Sequence, residues 1–302
     1  MSSHMRAREG LKRILQILIV GLIFFFLIRT VYQNWVQVSQ HEWSIDYVPL
    51  AVSFIVLLCG FSLMVGIWRH ILKKLGSPLQ FKTSWRVWWF SNMGRYLPGK
   101  VWQMLGMVYL CGKESVPKDT SLTSIVIAQA VSILSAFLLM GSYVLFASSE
   151  NVPQGAYLLL VLIPVGLVAI HPSILRRLIN MVLRKLRREP IELSVTLNDV
   201  VSLFVLYLIG WGIYGVAFYF FVNSVHDLSI TLIPHVICIF AVAYVFGLLC
   251  FVVPGGLGVR EGLLATLLGT YIPLPVATVV ALLYRIWFTA AELICLGFAL
   301  KR

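Results

Sequence analysis

Charged residues are scarce in this sequence, at 12% of the chain, whereas soluble proteins carry about 25%. Apolar residues make up 60%, against roughly 45–50% in soluble proteins. A water-soluble fold of this composition would lack the polar side chains that its surface needs. The composition therefore excludes secreted disulfide-framed domains, nucleic-acid-binding proteins and ordinary cytosolic enzymes, and it indicates an integral membrane protein.

Metal-ligand and nucleophile motifs are also missing. The five cysteines lie apart, mostly within apolar runs, and no CxxC or His–Cys pair has the spacing of metal ligands. No P-loop or nucleophile elbow occurs. We therefore expect no cofactor, no metal and no catalytic residue, and we interpret the cysteines as buried apolar thiols.

Lys and Arg are absent from three predicted loops, at 33–46, 148–154 and 223–230. Twenty-one of the 24 basic residues lie instead in four other segments, 6–13, 69–118, 172–190 and 301–302. Because cytoplasmic loops of membrane proteins are rich in Lys and Arg, we predict a multi-pass protein of the cell membrane with both termini in the cytoplasm. The net charge of +12 is then a sign of topology, and we expect no nucleic-acid partner.

The apolar runs predict an all-α polytopic membrane protein, because about 20 apolar residues suit a helix that spans a bilayer. Residues 1–5 resemble a cloning remnant, and 6–302 are predicted to form a single integral membrane domain. About six full spans are predicted, at 14–32, 48–68, 121–147, 155–171, 200–222 and 276–299. Two broken or re-entrant helical hairpins, at 81–111 and 232–272, complete the fold.

A basic amphipathic segment at 172–190 joins the two halves, about 6–171 and 200–302. Within it, ILRRLINMVLRKLRR (174–188) has apolar residues at helical spacing and basic residues on the opposite face. We interpret this segment as a connecting helix on the inner membrane surface. A docking site for a cytosolic partner is the alternative.

Each predicted hairpin is interrupted by a Pro-Gly pair, in SNMGRYLPGKVWQ (91–103) and in VPGGLGVREG (253–262). Proline disfavours helix in the residue before it and is well suited to begin a new helix. Non-helical backbone inside a membrane is tolerated only where protein buries it or water reaches it. We therefore predict that the following residues form the breaks and line a cavity: Asn92, Gly94, Pro98, Gly99, Gln103, Pro254, Gly255, Gly256 and Gly258.

The two hairpins are predicted to enter the membrane from opposite sides. The first begins and ends among basic residues, whereas the second begins and ends in segments predicted to lie outside. This arrangement resembles the inverted repeats of transporters. The alternatives are a helix pair lying at the interface for the first hairpin, and an ordinary span with a cytoplasmic turn at Pro254 for the second.

Ionisable residues in the breaks and in the last span are predicted to bind substrate: Arg95, Lys100, Arg260, Glu261, Arg285 and Glu292. Charges at membrane depth cost at least about 2.5–3.5 kcal/mol each, so they mark a functional site or interhelical ion pairs. Arg285 and Glu292 are about 10 Å apart along one helix, too far to pair directly. We predict other partners, such as Glu261 for Arg285 and Arg260 for Glu292. The excess of cations over carboxylates in this set suits an anionic head group.

The motifs GRYLPGKVWQ (94–103) and PGGLGVREG (254–262) resemble signatures of the lysylphosphatidylglycerol synthase/flippase transmembrane family, which includes the membrane domain of multiple peptide resistance factors and stand-alone relatives. The resemblance implies a helical bundle that handles phospholipids or polyprenyl-phosphate-linked molecules. Members that synthesise aminoacylated lipids carry a soluble aminoacyl-transfer domain after the membrane part. Because this chain ends at Arg302, directly after its last predicted span, we expect no synthase activity from it alone.

Two functions are therefore hypotheses. The first is a flippase-like translocator that moves an anionic phospholipid or polyprenyl-phosphate-linked lipid through a cationic cavity in the membrane. The second is a non-catalytic membrane subunit that presents a lipid carrier to a separate glycosyl- or aminoacyl-transferase. An intramembrane enzyme is the weakest hypothesis, because the sequence offers no convincing nucleophile or metal set.

Overall fold

The computed structural model describes most of the chain after the first apolar run. Its described residues are 25, 28, 29, 32, 35–40, 43–96, 101–146, 154–169, 171–185, 196–250 and 256–300. The predicted span at 14–32 lies mostly outside them.

The described chain is almost entirely helical, which confirms the all-α membrane fold. The α-helices are α1 (Trp35–Gln40), α2 (Tyr47–Lys74), α3 (Phe81–Asn92), α4 (Val101–Lys113), α5 (Lys118–Phe146), α6 (Leu162–Ala169), α7 (Pro172–Lys185), α8 (Leu197–Asn223), α9 (Ile233–Leu249), α10 (Val259–Leu268) and α11 (Leu274–Leu300). Three 3₁₀ helices accompany them, at Met93–Tyr96, Gln154–Val161 and Ile230–Leu232. Five segments of the described chain are long and apolar enough to cross a membrane, namely α2, α5, α8, α11 and the segment Ile230–Leu249 that contains α9.

The predicted span at 155–171 is not one long helix. A 3₁₀ helix, Gln154–Val161, leads into the short helix α6. Pro164 lies in the first turn of α6, where its missing amide hydrogen is tolerated, whereas in a longer helix it would leave the carbonyl of Leu160 without its donor. The proline therefore favours a helix that begins at Leu162.

Helices α2 and α8 run antiparallel and pack against each other along their length. At one end the Lys74 ammonium lies 2.8 Å from the Asp199 carboxylate. At the other end the backbone N–H of Asp46 donates to the carbonyl of Ser224 at 2.9 Å. These contacts define two sides of the protein, which we name the Lys74 face and the Asp46 face.

The helix order repeats in the two halves. The first half has α2, a hairpin of α3 and α4 that starts from the Lys74 face, and then α5. The second half has α8, a hairpin of α9 and α10 that starts from the Asp46 face, and then α11. The contacts correspond as well, because α3 packs on α11 while α9 packs on α5. This arrangement agrees with the predicted inverted repeat.

The helices of the first hairpin are too short to cross a bilayer, whereas the segment Ile230–Leu249 in the second is long enough to do so. Helices α3 and α4 have 12 and 13 residues, which makes each about 18–20 Å long against a hydrocarbon core of about 30 Å. Trp89 near the end of α3 is buried, and its ring contacts Phe61 in the middle of α2 at 4.8 Å. The first hairpin thus inserts into the bundle, in contrast to a helix pair that lies flat on its surface.

Indole N–H groups connect helices inside the bundle. Trp68 of α2 donates to the Ser124 hydroxyl of α5 at 3.0 Å, and Trp287 of α11 donates to the Ser53 hydroxyl of α2 at 3.0 Å. A buried tryptophan packs its apolar ring and needs a partner for its single donor. These bonds hold α2 to α5 and α11.

The basic segment forms the amphipathic helix α7, as predicted, over its described residues. Leu175 and Ile179 are buried, and α7 packs against α5. Arg176 and Arg177 are exposed on the other side. Residues 186–190 of the predicted helix lie outside the described chain, and its place on the inner membrane surface stays a prediction.

Candidate functional site

At the first break, the turn that follows α3 lies in close backbone contact with the start of α4. A Cβ atom at Gly94 would lie 2.6 Å from the backbone nitrogen of Gln103, so only glycine lets the 3₁₀ turn reach the start of α4. The Gln103 side-chain amide donates to the Asn92 carbonyl oxygen across the hairpin. These contacts hold the hairpin together, and the cavity-lining role predicted for its residues stays a prediction. Pro98, Gly99 and Lys100 lie outside the described residues.

The second break also contains a close backbone approach at a glycine. Gly256 and Gly258 have φ angles of +68° and +80°, which L-amino acids with side chains rarely adopt. A Cβ atom at Gly256 would lie 2.6 Å from the Gly247 carbonyl oxygen of α9. The chain thus turns back against α9 before α10 begins. Pro254 and Gly255 lie outside the described residues.

Glu261 ties the second break to the last helix. Its Oε2 accepts the backbone N–H of Gly258 at 2.6 Å and so caps the start of α10. Its Oε1 lies 3.5 Å from Nη1 of Arg285 on α11, which confirms the predicted pair. A carboxylate in the first turn of a helix is stabilised by the free amides and the dipole there. The glutamate side chain is buried, only 1% exposed, and these contacts fix it inside the bundle.

Glu292 pairs with the first break. Its Oε1 lies 2.7 Å from Nη1 of Arg95, and the glutamate side chain is 1% exposed. The predicted pairing of Glu292 with Arg260 is wrong. Because α3 packs on α11, the 3₁₀ turn that follows α3 brings Arg95 to Glu292.

Arg260 is held by aromatic residues. Its guanidinium carbon lies 4.0 Å from the centre of the Tyr244 ring, and its Nη1 donates to the Tyr284 hydroxyl at 3.2 Å. The residue is 6% exposed, and it forms no ion pair with any residue that the structure describes. Its buried Nε likewise finds no hydrogen-bond acceptor in the described chain. A cation over a tyrosine ring is stabilised by about 2 kcal/mol or more when desolvated, while its charge stays available to an anion.

Five of the six predicted site residues thus meet around α11. We call them the central charge cluster, which consists of Arg95, Arg260, Glu261, Arg285 and Glu292. The Arg95 and Arg260 guanidiniums are near enough to repel each other. Three arginines against two carboxylates leave a formal charge of +1 inside an apolar bundle. Such a cluster can bind an anion and can exchange ion-pair partners.

Sequence reasoning missed the tyrosines of this site. Tyr244 and Tyr284 surround the Arg260 guanidinium, and Tyr214 lies within the electrostatic range of Arg95 and Glu292. A signal was present, because a tyrosine in the middle of an apolar span must bury its hydroxyl and needs a partner there. No group of three His, Cys, Asp or Glu side chains among the described residues could hold a metal ion.

A match to one protein family covers nearly the whole chain. The model of one family, the lysylphosphatidylglycerol synthase TM region, matches residues 13–293. This match includes both breaks and every residue of the central charge cluster. No curated protein matches the chain. With the match and both signature motifs in place, the chain belongs to the lysylphosphatidylglycerol synthase transmembrane-region family.

Proposed function

We propose that this protein is a flippase-like translocator of a membrane lipid with an anionic phosphate, either a phospholipid or a polyprenyl-phosphate-linked lipid. The family indicates a lipid-related function in the membrane. The observation that carries the finer proposal is Arg260, a buried guanidinium beside Tyr244 and Tyr284 with no carboxylate partner among the described residues. A lipid phosphate supplies the missing anion.

The ion pairs of the central charge cluster give this proposal a mechanism. Arg95 belongs to the first hairpin and Glu261 to the second, and both pair with α11. A phosphate that enters beside Arg260 competes with Glu292 for Arg95, which loosens the contact between the first hairpin and α11. The two hairpins start from opposite faces of the protein. Breaking the Arg95–Glu292 pair therefore opens the cluster toward one face, and breaking the Glu261–Arg285 pair opens it toward the other.

Two further predicted features belong to this proposal. Lys100 follows the first break in the sequence and adds a cation on the path from that side. Both termini are cytoplasmic in the cell membrane, so the Lys74 face is the inner one. In this function the chain moves lipid and catalyses no covalent step.

The test is leaflet transfer in liposomes. The full chain is reconstituted with fluorescent phosphatidylglycerol, and dithionite quenching from outside reports how fast the inner-leaflet probe becomes accessible. We expect wild-type protein to accelerate transfer, and Arg260→Gln and Lys100→Ala to lower the rate at least about tenfold, since a hydrogen bond between charged groups contributes roughly 1.5–3 kcal/mol. Arg177→Gln, on the exposed side of α7, is the control. The same assay is run with a fluorescent polyprenyl phosphate. Equal rates for Arg260→Gln and wild type, or for wild type and empty liposomes with both probes, would refute the proposal.

The exposed basic side of α7 favours a second candidate. Arg176, Arg177 and Arg184 are all exposed on this helix. In this candidate they dock a glycosyl- or aminoacyl-transferase, to which the protein presents a lipid carrier. A transferase that co-purifies with wild type and is lost from a variant with all three arginines changed to glutamine would support it, whereas equal recovery would contradict it.

A further inference from the structure

A groove lies on the outside of the bundle where α2, α3 and α11 meet. It has a volume of about 360 Å³ and is lined by Ser62, Phe81, Lys82, Trp85, Arg86 and Phe298. None of these residues belongs to the central charge cluster. Phe81 and Phe298 are 43% and 57% exposed, so the groove is open toward the surroundings of the bundle.

Two cations form one side of this groove. Lys82 and Arg86 are four residues apart on α3 and therefore lie on one helix face, one turn from each other. Both are exposed, and no carboxylate is among the lining residues. Neither forms an ion pair with another described residue, so their charges are available to an external anion.

Aromatic rings form the floor. Trp85 is fixed by its indole N–H, which donates to the Cys295 carbonyl of α11 at 3.1 Å. Its ring contacts Phe81 at 5.9 Å. Protein contacts alone therefore hold this aromatic surface in place. Because the surface is apolar, it is suited to contact an acyl chain.

One end of the groove lies at the Lys74 face, and the groove extends from there to Ser62 in the middle of α2. Phe298 is two residues from the end of α11, and Phe81 is the first residue of α3. The loop before Phe81 is tied to the end of α2 by the Arg69 side chain, which donates to the Leu79 carbonyl at 2.7 Å. Aromatic rings and basic side chains at this depth are typical of contact with lipid head groups.

We propose that this groove binds an anionic phospholipid from the leaflet at the Lys74 face. The phosphate lies between Lys82 and Arg86, and an acyl chain covers Phe81, Trp85 and Phe298. This lipid is separate from the lipid at the central charge cluster and stays bound. It bridges α3 and α11, the same two segments that Arg95 and Glu292 join at greater depth, and so supports that ion pair.

Native mass spectrometry of the full chain in detergent tests this site, with equal amounts of phosphatidylglycerol and phosphatidylcholine added. We expect wild type to retain one phosphatidylglycerol more than Lys82→Gln/Arg86→Gln. The double variant weakens that binding about 30-fold, since each Lys or Arg beside an anionic lipid contributes roughly a factor of five. Lys113→Gln/Lys118→Gln removes the same charge from exposed positions near the same face and should retain the lipid.

A second variant tests the place of binding without changing charge. Ser62→Phe fills the groove and should lose the same phosphatidylglycerol, whereas Ser62→Ala, which leaves the groove open, should keep it. The proposal is overturned if Lys82→Gln/Arg86→Gln or Ser62→Phe retains as much phosphatidylglycerol as wild type, or if phosphatidylcholine is retained equally. Because this readout is binding, it is independent of whether the protein translocates lipid.

Discussion

Removing Arg95 should destabilise the protein more than removing Arg95 and Glu292 together. The Glu292 side chain is 1% exposed, and its carboxylate lies 2.7 Å from Arg95. Arg95→Gln leaves a buried carboxylate without its cation, which costs about 3–5 kcal/mol when such a pair is broken. Adding Glu292→Gln removes the stranded charge, and two neutral amides can hydrogen-bond in its place.

We therefore expect the double variant to regain at least about 2 kcal/mol relative to Arg95→Gln alone. The measurement is the free energy of unfolding in mixed detergent micelles, followed by tryptophan fluorescence for wild type, both single variants and the double variant. The four values form a double-mutant cycle, which isolates the interaction between the two side chains.

The chain offers a matched control in the pair of Lys74 and Asp199. This pair is as close, at 2.8 Å, but Lys74 is 54% exposed and Asp199 22%. Exposed ion pairs contribute only about 0–1 kcal/mol, so the same cycle on these residues should give a small interaction. Equal interaction energies for the two pairs, or additive losses at Arg95 and Glu292, would refute our reasoning on the buried pair.

Two further predictions concern the breaks and Arg260. Gly94→Ala and Gly256→Ala should each lower the free energy of unfolding by about 1–3 kcal/mol, because a Cβ at either position would meet backbone atoms at 2.6 Å. Gly112 has open space around it, so Gly112→Ala should leave the free energy of unfolding unchanged. A loss at Gly112 as large as at the other two glycines would contradict this reasoning. Arg260→Lys should lower the rate of lipid transfer although it keeps the positive charge. A lysine ammonium is not planar, so it cannot both stack on the Tyr244 ring and bind a phosphate through two parallel hydrogen bonds. A wild-type transfer rate would show that the charge alone suffices.

Several elements could be predicted from the sequence because their causes are local. The long apolar runs determine α2, α8 and α11 through hydrophobic length, and the apolar and basic spacing of 174–188 determines the amphipathic helix α7. The Pro-Gly pairs and glycines locate both breaks, since proline and positive φ angles act on neighbouring residues. The energetic cost of charge in a membrane was enough to select the cluster residues.

Only the tertiary structure decided how those residues meet. The sequence predicts that Glu292 needs a cation, but the packing of α3 on α11 makes that cation Arg95 and leaves Arg260 to Tyr244 and Tyr284. The groove of Lys82 and Arg86 likewise exists only because α2 and α11 meet α3 there. Composition and periodicity describe each helix by itself, whereas partners across helices depend on which ridges and small residues let two distant segments approach.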